Sequence, residues 1–357
     1  MARPKILNFA VFDTSAESNR KLEAAGYEVV VGNDAWMIPG TSREDEVREV
    51  ARDAVALIGT SMRSNPISKS IMEAAQRLRI VAKYTVGVDD VDVDAATDLG
   101  IMVTHGPTEA NCFGVAEYTM AMMLSLLKKL GERDAAVRRG EWRTPALMST
   151  FLGRRESDGH KGITVGIIGL GRIGARVAEL LAPWRLRVIA SDPYIPDERF
   201  VRYGVEKVDL PTLLRESDVV TVHCNLTKET NRFIGPAQFA QMKPNAIFIN
   251  NARGKIIDEA ALADALKSNK IGGAGVDAFS EEPLGKDNPL RGVGDRIILS
   301  PHASSYTFGG SLGPGVEWAT RSVLAALDGE VPDNVYNTEV IPRWKERFGG
   351  VKVLAGR

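Results

Sequence analysis

The sequence predicts a two-domain α/β protein built on parallel sheets. Three observations carry that expectation. Short β-type runs alternate with longer helical patterns through almost the whole chain, the signature of βαβ units. The chain has 357 residues, and a single core rarely grows beyond roughly 250–300. A glycine-rich turn at Gly169–Gly174 sits between a strand pattern and a helix pattern and opens a second series of units.

The elements follow in order. Ile6–Phe12 is the first strand, and Ser18–Ala25 is helical with Gly26 as its stop. Tyr27–Val31, Ala54–Gly59, Ile80–Thr85 and Met102–Thr104 read as further strands of a first α/β region. A long helix is expected from Gly114 into Lys128, Lys129, Glu132 and Arg133. Ala116, Met120, Met123, Leu124 and Leu127 share one of its faces. That face suits a buried helix between domains or subunits better than a methionine-lined groove. Residues 140–162 are polar and irregular, an approach to the second domain. Strand–helix alternation resumes at Ile163 and runs to about Pro301, and a helix over Val316–Leu327 starts the tail.

Composition narrows the function. Lys and Arg total 45 against 46 Asp and Glu, so no electrostatic argument points to nucleic acid or an anionic membrane. No stretch approaches the ~20 apolar residues of a membrane span. The two cysteines, Cys112 and Cys224, form no C-x-x-C pattern. A metal cage is not expected, and a reducing, cytoplasmic compartment is.

Gly169-Leu170-Gly171-Arg172-Ile173-Gly174 directly follows the strand Ile163–Ile168 and opens the helix Ala175–Leu181. In that setting the glycines have separate tasks. Gly169 makes a tight turn, Gly171 lets backbone approach a pyrophosphate, and Gly174 lets helix and strand pack closely. The amides at the helix start then face the anion. The next strand, Arg187–Ala190, leads to Asp192, which lies 18 residues beyond Gly174, near the ~20 of a dinucleotide-binding fingerprint. A carboxylate there accepts the ribose hydroxyls of NAD and repels the 2′-phosphate of NADP.

Hydride reduction of a keto acid needs a grip on the carboxylate, a polarised carbonyl and a proton donor, for which histidine is suited near neutral pH. The chain has four histidines. His160 lies in the polar linker and is expected to be exposed. His105 follows a strand without an evident acid partner. His302, in Ser300-Pro301-His302, follows the strand Ile297–Leu299. Arg253 follows Ala246–Ile249, and Glu282 follows Ala274–Ala278. A guanidinium, a carboxylate and an imidazole are thus offered at strand C-terminal ends, where open α/β sheets place their ligands.

In these residues the chain resembles the D-isomer-specific 2-hydroxyacid dehydrogenases, over nearly its full length. The motifs that carry the resemblance are Gly169–Gly174 with Asp192, Val222–Thr230, Asn250–Gly254, Gly275–Pro283 and Ser300–His302, with Gly87-Val88-Asp89 and Val115-Ala116-Glu117 in support. The resemblance implies NAD as cofactor and a 2-keto acid/D-2-hydroxy acid pair as substrate. Arg253 would grip carboxylate and keto oxygen. His302 would be the acid/base, and Glu282 would orient it and favour its protonated form. Val86 and Gly87 would offer backbone amides to the substrate carboxylate. Arg172 and Ile173 would meet the pyrophosphate, Asn225, Thr230 and Ala252 would line the cofactor cleft, and Asp277 would contact the nicotinamide end. The implied architecture is a flavodoxin-like substrate domain (residues 1–112 and 306–357) interrupted by a Rossmann domain (residues 113–305). A homodimer, supported by the helix near Gly114–Arg133, is implied too.

Asn225 stands where the family pattern has proline in a His-x-Pro motif, a change that removes no chemical group. Formate dehydrogenases resemble a pattern with glutamine at the place of Glu282 and are set aside. Phosphite dehydrogenases keep all three groups. A non-catalytic, NAD-sensing corepressor is the alternative from another class, although such proteins usually carry long interaction tails. Side-chain selection in the substrate would fall to residues such as Ser61, Met62, Arg63 and Tyr306; Arg63 could meet a distal phosphate or carboxylate, although a solvated loop position suits it better.

Overall fold

Runs of valine, isoleucine and alanine form the strands, and every strand pair is parallel. Such sheets are covered on both faces, so their strands read as continuous apolar runs. The computed structural model describes residues 3–10, 16–38, 42–62, 64–307 and 312–354. It divides into two compact units, Met1–Asn111 with Phe308–Arg357, and Cys112–Thr307.

The first unit holds β1 (Lys5–Ala10), β2 (Glu28–Val31), β3 (Ala54–Gly59), β4 (Ile80–Lys83) and β5 (Met102–Thr104), in the order β2-β1-β3-β4-β5. That is the flavodoxin-like order. The two-residue period sorts side chains between two cores. Leu7, Leu57, Val81 and Val103 pack on one face, while Ile6, Ile58, Ile80 and Met102 pack on the other. The second face is closed by the returning tail. Val316, Ala319 and Val323 of helix Gly313–Leu327 and Trp344 of helix Ile341–Phe348 complete that core. Arg79 pins the tail from beneath. Its guanidinium donates to Val351 O at 2.5 Å, and its own carbonyl accepts from the Trp344 indole at 2.9 Å.

The second unit holds β6 (Thr164–Ile168), β7 (Arg187–Ser191), β8 (Glu206–Lys207), β9 (Val219–Val222), β10 (Ile247–Asn250), β11 (Gly273–Val276) and β12 (Ile297–Leu299). Their order is β12-β11-β10-β9-β6-β7-β8. This is the doubly wound dinucleotide-binding arrangement with one further strand beyond the usual edge, and its order reverses between β6 and β9.

The long helix departs from its expected bounds. It runs Glu109–Lys128, ends where Lys129 turns left-handed at φ 52°, and is followed by a separate helix, Leu130–Arg138. It is also long and apolar enough, by length and composition, to cross a membrane, which the sequence reading did not expect. Packing explains the apolarity. Met120, Met123, Leu126 and Leu127 share a core with Val165, Ile167 and Ile249 of the sheet. Gly273 and Gly275 make room for it, since a Cβ on Gly275 would lie 2.9 Å from the Met122 sulfur. The helix is therefore a core element of the second unit.

Candidate active site

The ends of β10, β11 and β12 lie side by side in the sheet, and the predicted chemical groups follow them. After β10, the buried Asn250 shapes the turn. Its Nδ2 donates to Arg253 O at 3.0 Å, and its Oδ1 accepts the Ala252 amide at 3.1 Å. Asn251 ties the same turn to the long helix through Thr119 Oγ1 at 2.9 Å. Arg253 is half-buried, with Nη1 donating to the Ala252 carbonyl at 2.8 Å. Gly254 then meets the loop after β11 backbone to backbone: a Cβ there would sit 1.8 Å from Phe279 C and 2.1 Å from Ser280 N.

The loops after β11 and β12 are joined by the acid and the histidine. Nδ1 of His302 lies 2.8 Å from Glu282 Oε1 and 3.0 Å from Oε2. An ionised carboxylate only accepts, so Nδ1 carries the hydrogen and the tautomer is set. Glu282 is itself held by the Phe279 amide, which donates to Oε1 at 2.9 Å. The side chains are 29% and 14% exposed, low enough to shelter the pair yet open enough for a small molecule to reach it.

His302 adopts φ 53°, a left-handed conformation uncommon outside glycine. Asp277 holds it there. Its buried carboxylate accepts the amides of Ala303 at 2.9 Å and Ser304 at 3.0 Å. A nicotinamide contact by Asp277 would fall to lone pairs that these amides leave over. Glu259, absent from the sequence reading, braces the β11 loop by accepting from Ser280 N and Asn288 Nδ2, both at 2.6 Å. A buried glutamate at the start of a helix pattern gave no local signal of this.

The glycine-rich turn stands at the reversal of strand order. Gly169 has φ 92°, and a Cβ on it would lie 2.6 Å from Cys224 N, so the turn after β6 presses against the end of β9. A Cβ on Gly174 would lie 2.2 Å from Gly169 O, as close packing of helix on turn requires, whereas nothing lies within 4 Å of one on Gly171. Helix Arg172–Leu181 starts there without a side-chain cap. This open, uncapped start, with Arg172 and Ile173 in its first turn, fits a dinucleotide pyrophosphate. Asp192 follows β7 and shares its carboxylate between the amides of Leu170 at 2.9 Å and Tyr194 at 3.0 Å. It therefore links the turn to the expected ribose site. Arg199 was not foreseen. It donates to Leu170 O at 2.8 Å and Gly171 O at 3.1 Å and clamps the turn from the next helix. Only the fold brings it there.

Asn225 and Thr230 lie in one small turn, Thr230 Oγ1 donating to Asn225 O at 2.7 Å. Beside it, burial pushes the His223 imidazole down to about 3 and the Cys224 thiol up to about 11. His223 is thus neutral across the physiological range and contributes no titration near pH 7. Among the described residues no cluster of His, Cys, Asp or Glu is arranged to hold a metal ion.

In the first unit, Val86 and Gly87 follow β4. Thr85 Oγ1 donates to Gly87 O at 2.7 Å, and His105 Nδ1 lies 3.2 Å from Val86 O. The Met62 side chain is fully buried in the core of this unit. Arg63 lies outside the described residues, Ser61 is half-buried, and Tyr306, in the second unit, is 69% exposed. His160 is half-buried against Phe151, with ring centroids 5.5 Å apart, rather than exposed.

Residues 120–304 match the family model of the D-isomer specific 2-hydroxyacid dehydrogenase, NAD binding domain. A glyoxylate reductase from Korarchaeum cryptofilum is 37% identical over 86% of this chain and 90% of its own length. A D-3-phosphoglycerate dehydrogenase from Archaeoglobus fulgidus is also 37% identical over 82% of this chain, but the match spans only 53% of that protein. The chain thus spans about half the length of such relatives. Among solved structures, the D-lactate dehydrogenase of Aquifex aeolicus, complexed with NAD and lactic acid, superposes with a TM-score of 0.79 at 25% identity. That match covers 93% of this chain and 99% of the other. Sheet order, strand-end chemistry and these matches agree: the chain belongs to the D-isomer specific 2-hydroxyacid dehydrogenase family.

Proposed function

We propose that this chain is an NAD-dependent dehydrogenase that interconverts a 2-keto acid and a D-2-hydroxy acid. The observation that carries the reading is the Glu282–His302 pair at 2.8 Å, on strand ends neighbouring the one that bears Arg253. Bound NAD supplies or accepts the hydride. Arg253 offers a planar pair of donors to carboxylate and carbonyl oxygens. With Nδ1 committed to Glu282, His302 transfers its proton at Nε2, giving it to the forming alkoxide or taking it from the hydroxyl in the reverse direction. Glu282 keeps the ring in that tautomer and orientation. The amides of Val86 and Gly87 are proposed to contact the substrate carboxylate. A cytoplasmic location goes with this reading and with two free cysteines.

The test is NADH oxidation against glyoxylate, hydroxypyruvate, pyruvate, phenylpyruvate, a branched-chain keto acid and 3-phosphohydroxypyruvate. Turnover of any member supports the reading, and the ranking reports the size and charge of the side-chain pocket. Silence across the panel with NADH bound would overturn it in favour of phosphite oxidation or cofactor sensing.

Cofactor choice gives a second test. Asp192→Ala removes the charge that repels a 2′-phosphate, and the preference for NAD over NADP, as a ratio of kcat/KM, is expected to fall by about tenfold or more. An unchanged ratio would remove Asp192 from the ribose site.

A homodimer is also proposed. Leu130, Val137, Trp142 and Met148 are 55%, 56%, 72% and 74% exposed, four apolar side chains in the segment that follows the long helix, which a second copy would cover. Light scattering should give twice the chain mass, and Trp142→Glu combined with Met148→Glu should give the monomer. A dimer unmoved by both substitutions would place the interface elsewhere.

A further inference from the structure

A buried ion pair in the first unit takes no part in the chemistry above. Lys83 is the last residue of β4, and Asp90 follows the loop that leaves it. Their side chains are 0% and 2% exposed, with Nζ 2.5 Å from Oδ2. The same Nζ donates to Thr60 O at 2.5 Å, and the same Oδ2 accepts the Met62 amide at 2.7 Å. The ring of Phe9 lies 5.2 Å from the ammonium, so the surroundings are partly apolar.

A buried ion pair is a weak stabiliser, because desolvating two charges offsets most of their attraction. An apolar pair would fill this space at no such cost. What the charged pair adds is direction: hydrogen bonds to particular backbone atoms of Thr60 and Met62. Those atoms leave β3, the neighbour of β4 in the sheet. The pair therefore closes the loop 84–89 at its base and staples it to the loop 60–62. The first loop carries Val86 and Gly87, and the second carries Ser61. Both stand at the C-terminal end of a parallel sheet, where α/β folds bind ligands.

From this geometry we infer that Lys83 and Asp90 are positioning residues for the substrate. They fix the spacing between the amides that hold its carboxylate and the Ser61 segment that meets its side chain. The inference rests on the proposed role of Val86 and Gly87. Neither residue touches the reacting atoms.

The experiment compares wild type with Lys83→Met/Asp90→Leu, which removes both charges together and leaves none buried alone. Keto-acid KM is expected to rise about tenfold with kcat nearly unchanged, the signature of lost ground-state and transition-state binding alike. The ranking of small against large keto acids should flatten, and NADH affinity, read by fluorescence titration, should stay within about twofold. Lys83→Met/Asp90→Asn keeps an acceptor for the Met62 amide and is expected to raise KM about threefold; it decides the matter if the first variant does not fold. A purely structural pair would lower the melting temperature and leave KM and ranking unmoved, and that result in a folded variant overturns the inference. Turnover in wild type with an unmoved ranking in the variants overturns it alone. A wild type that turns over no keto acid overturns the reading of the site and the inference with it.

Discussion

Replacing His302 by alanine is expected to lower turnover by about 10²–10⁴-fold, the usual contribution of a positioned general acid or base. In free energy that is roughly 3–5 kcal/mol of transition-state stabilisation. The structure explains why so much rests on one ring. Glu282 holds Nδ1 at 2.8 Å, Asp277 fixes the backbone that follows, and the left-handed φ of 53° aims the side chain from the end of β12. His223 in the same unit is not placed to substitute. It is kept neutral by burial, and its Nε2 is engaged with Thr221 Oγ1 at 2.9 Å. NADH affinity should stay close to wild type, because the glycine-rich turn lies beyond a different strand. Steady-state kinetics with the preferred keto acid, together with NADH fluorescence titration, checks both halves. Wild-type turnover in the variant would remove His302 from the chemistry.

Gly254→Ala should be nearly as damaging, for a different reason. A single methyl would have to occupy a point 1.8 Å from Phe279 C and 2.1 Å from Ser280 N. Both obstacles are backbone, so no flexible side chain can swing aside. One of the two loops must move, at a cost of about 1–3 kcal/mol or more. The displaced groups are Arg253 on one side and the loop that leads to Glu282 on the other. A shift of about 1 Å in such a constellation can cost about 10²-fold in rate. The expected result is a lower melting temperature together with at least that loss of turnover. A variant that melts and turns over like wild type would show that the two loops do not meet as described.

Arg253, Glu282 and His302 were legible in the sequence as candidates because each follows an apolar run in a strand–loop–helix alternation; the roles proposed for them came with the family resemblance. Strand ends are a property of local pattern. Gly169–Gly174 was legible for the same reason, since strand, glycines, helix and the acid at Asp192 all lie within one βαβ unit. Three strands, Ala54–Gly59, Met102–Thr104 and Ile297–Leu299, have the bounds that pattern alone gives them. The end of the long helix at Lys129 was not legible. Lysine is no favoured left-handed residue, and the apolar face runs on past it.

What the sequence by itself determined, then, is the alternation of strands and helices and which chemical groups stand at the strand ends. Only the tertiary structure decided which ends are neighbours and which polar groups are buried. The order β12-β11-β10 sets the three strand ends side by side, Met62 turns into the core, and Arg199 reaches back to the glycine turn. Asp277 supports the histidine loop, and Lys83 finds Asp90 and Thr60. The physical reason is the same in each case. Alternation and glycine placement act over a few residues of backbone, whereas the desolvation of a charge and the fit of one loop against another depend on residues far apart in the chain.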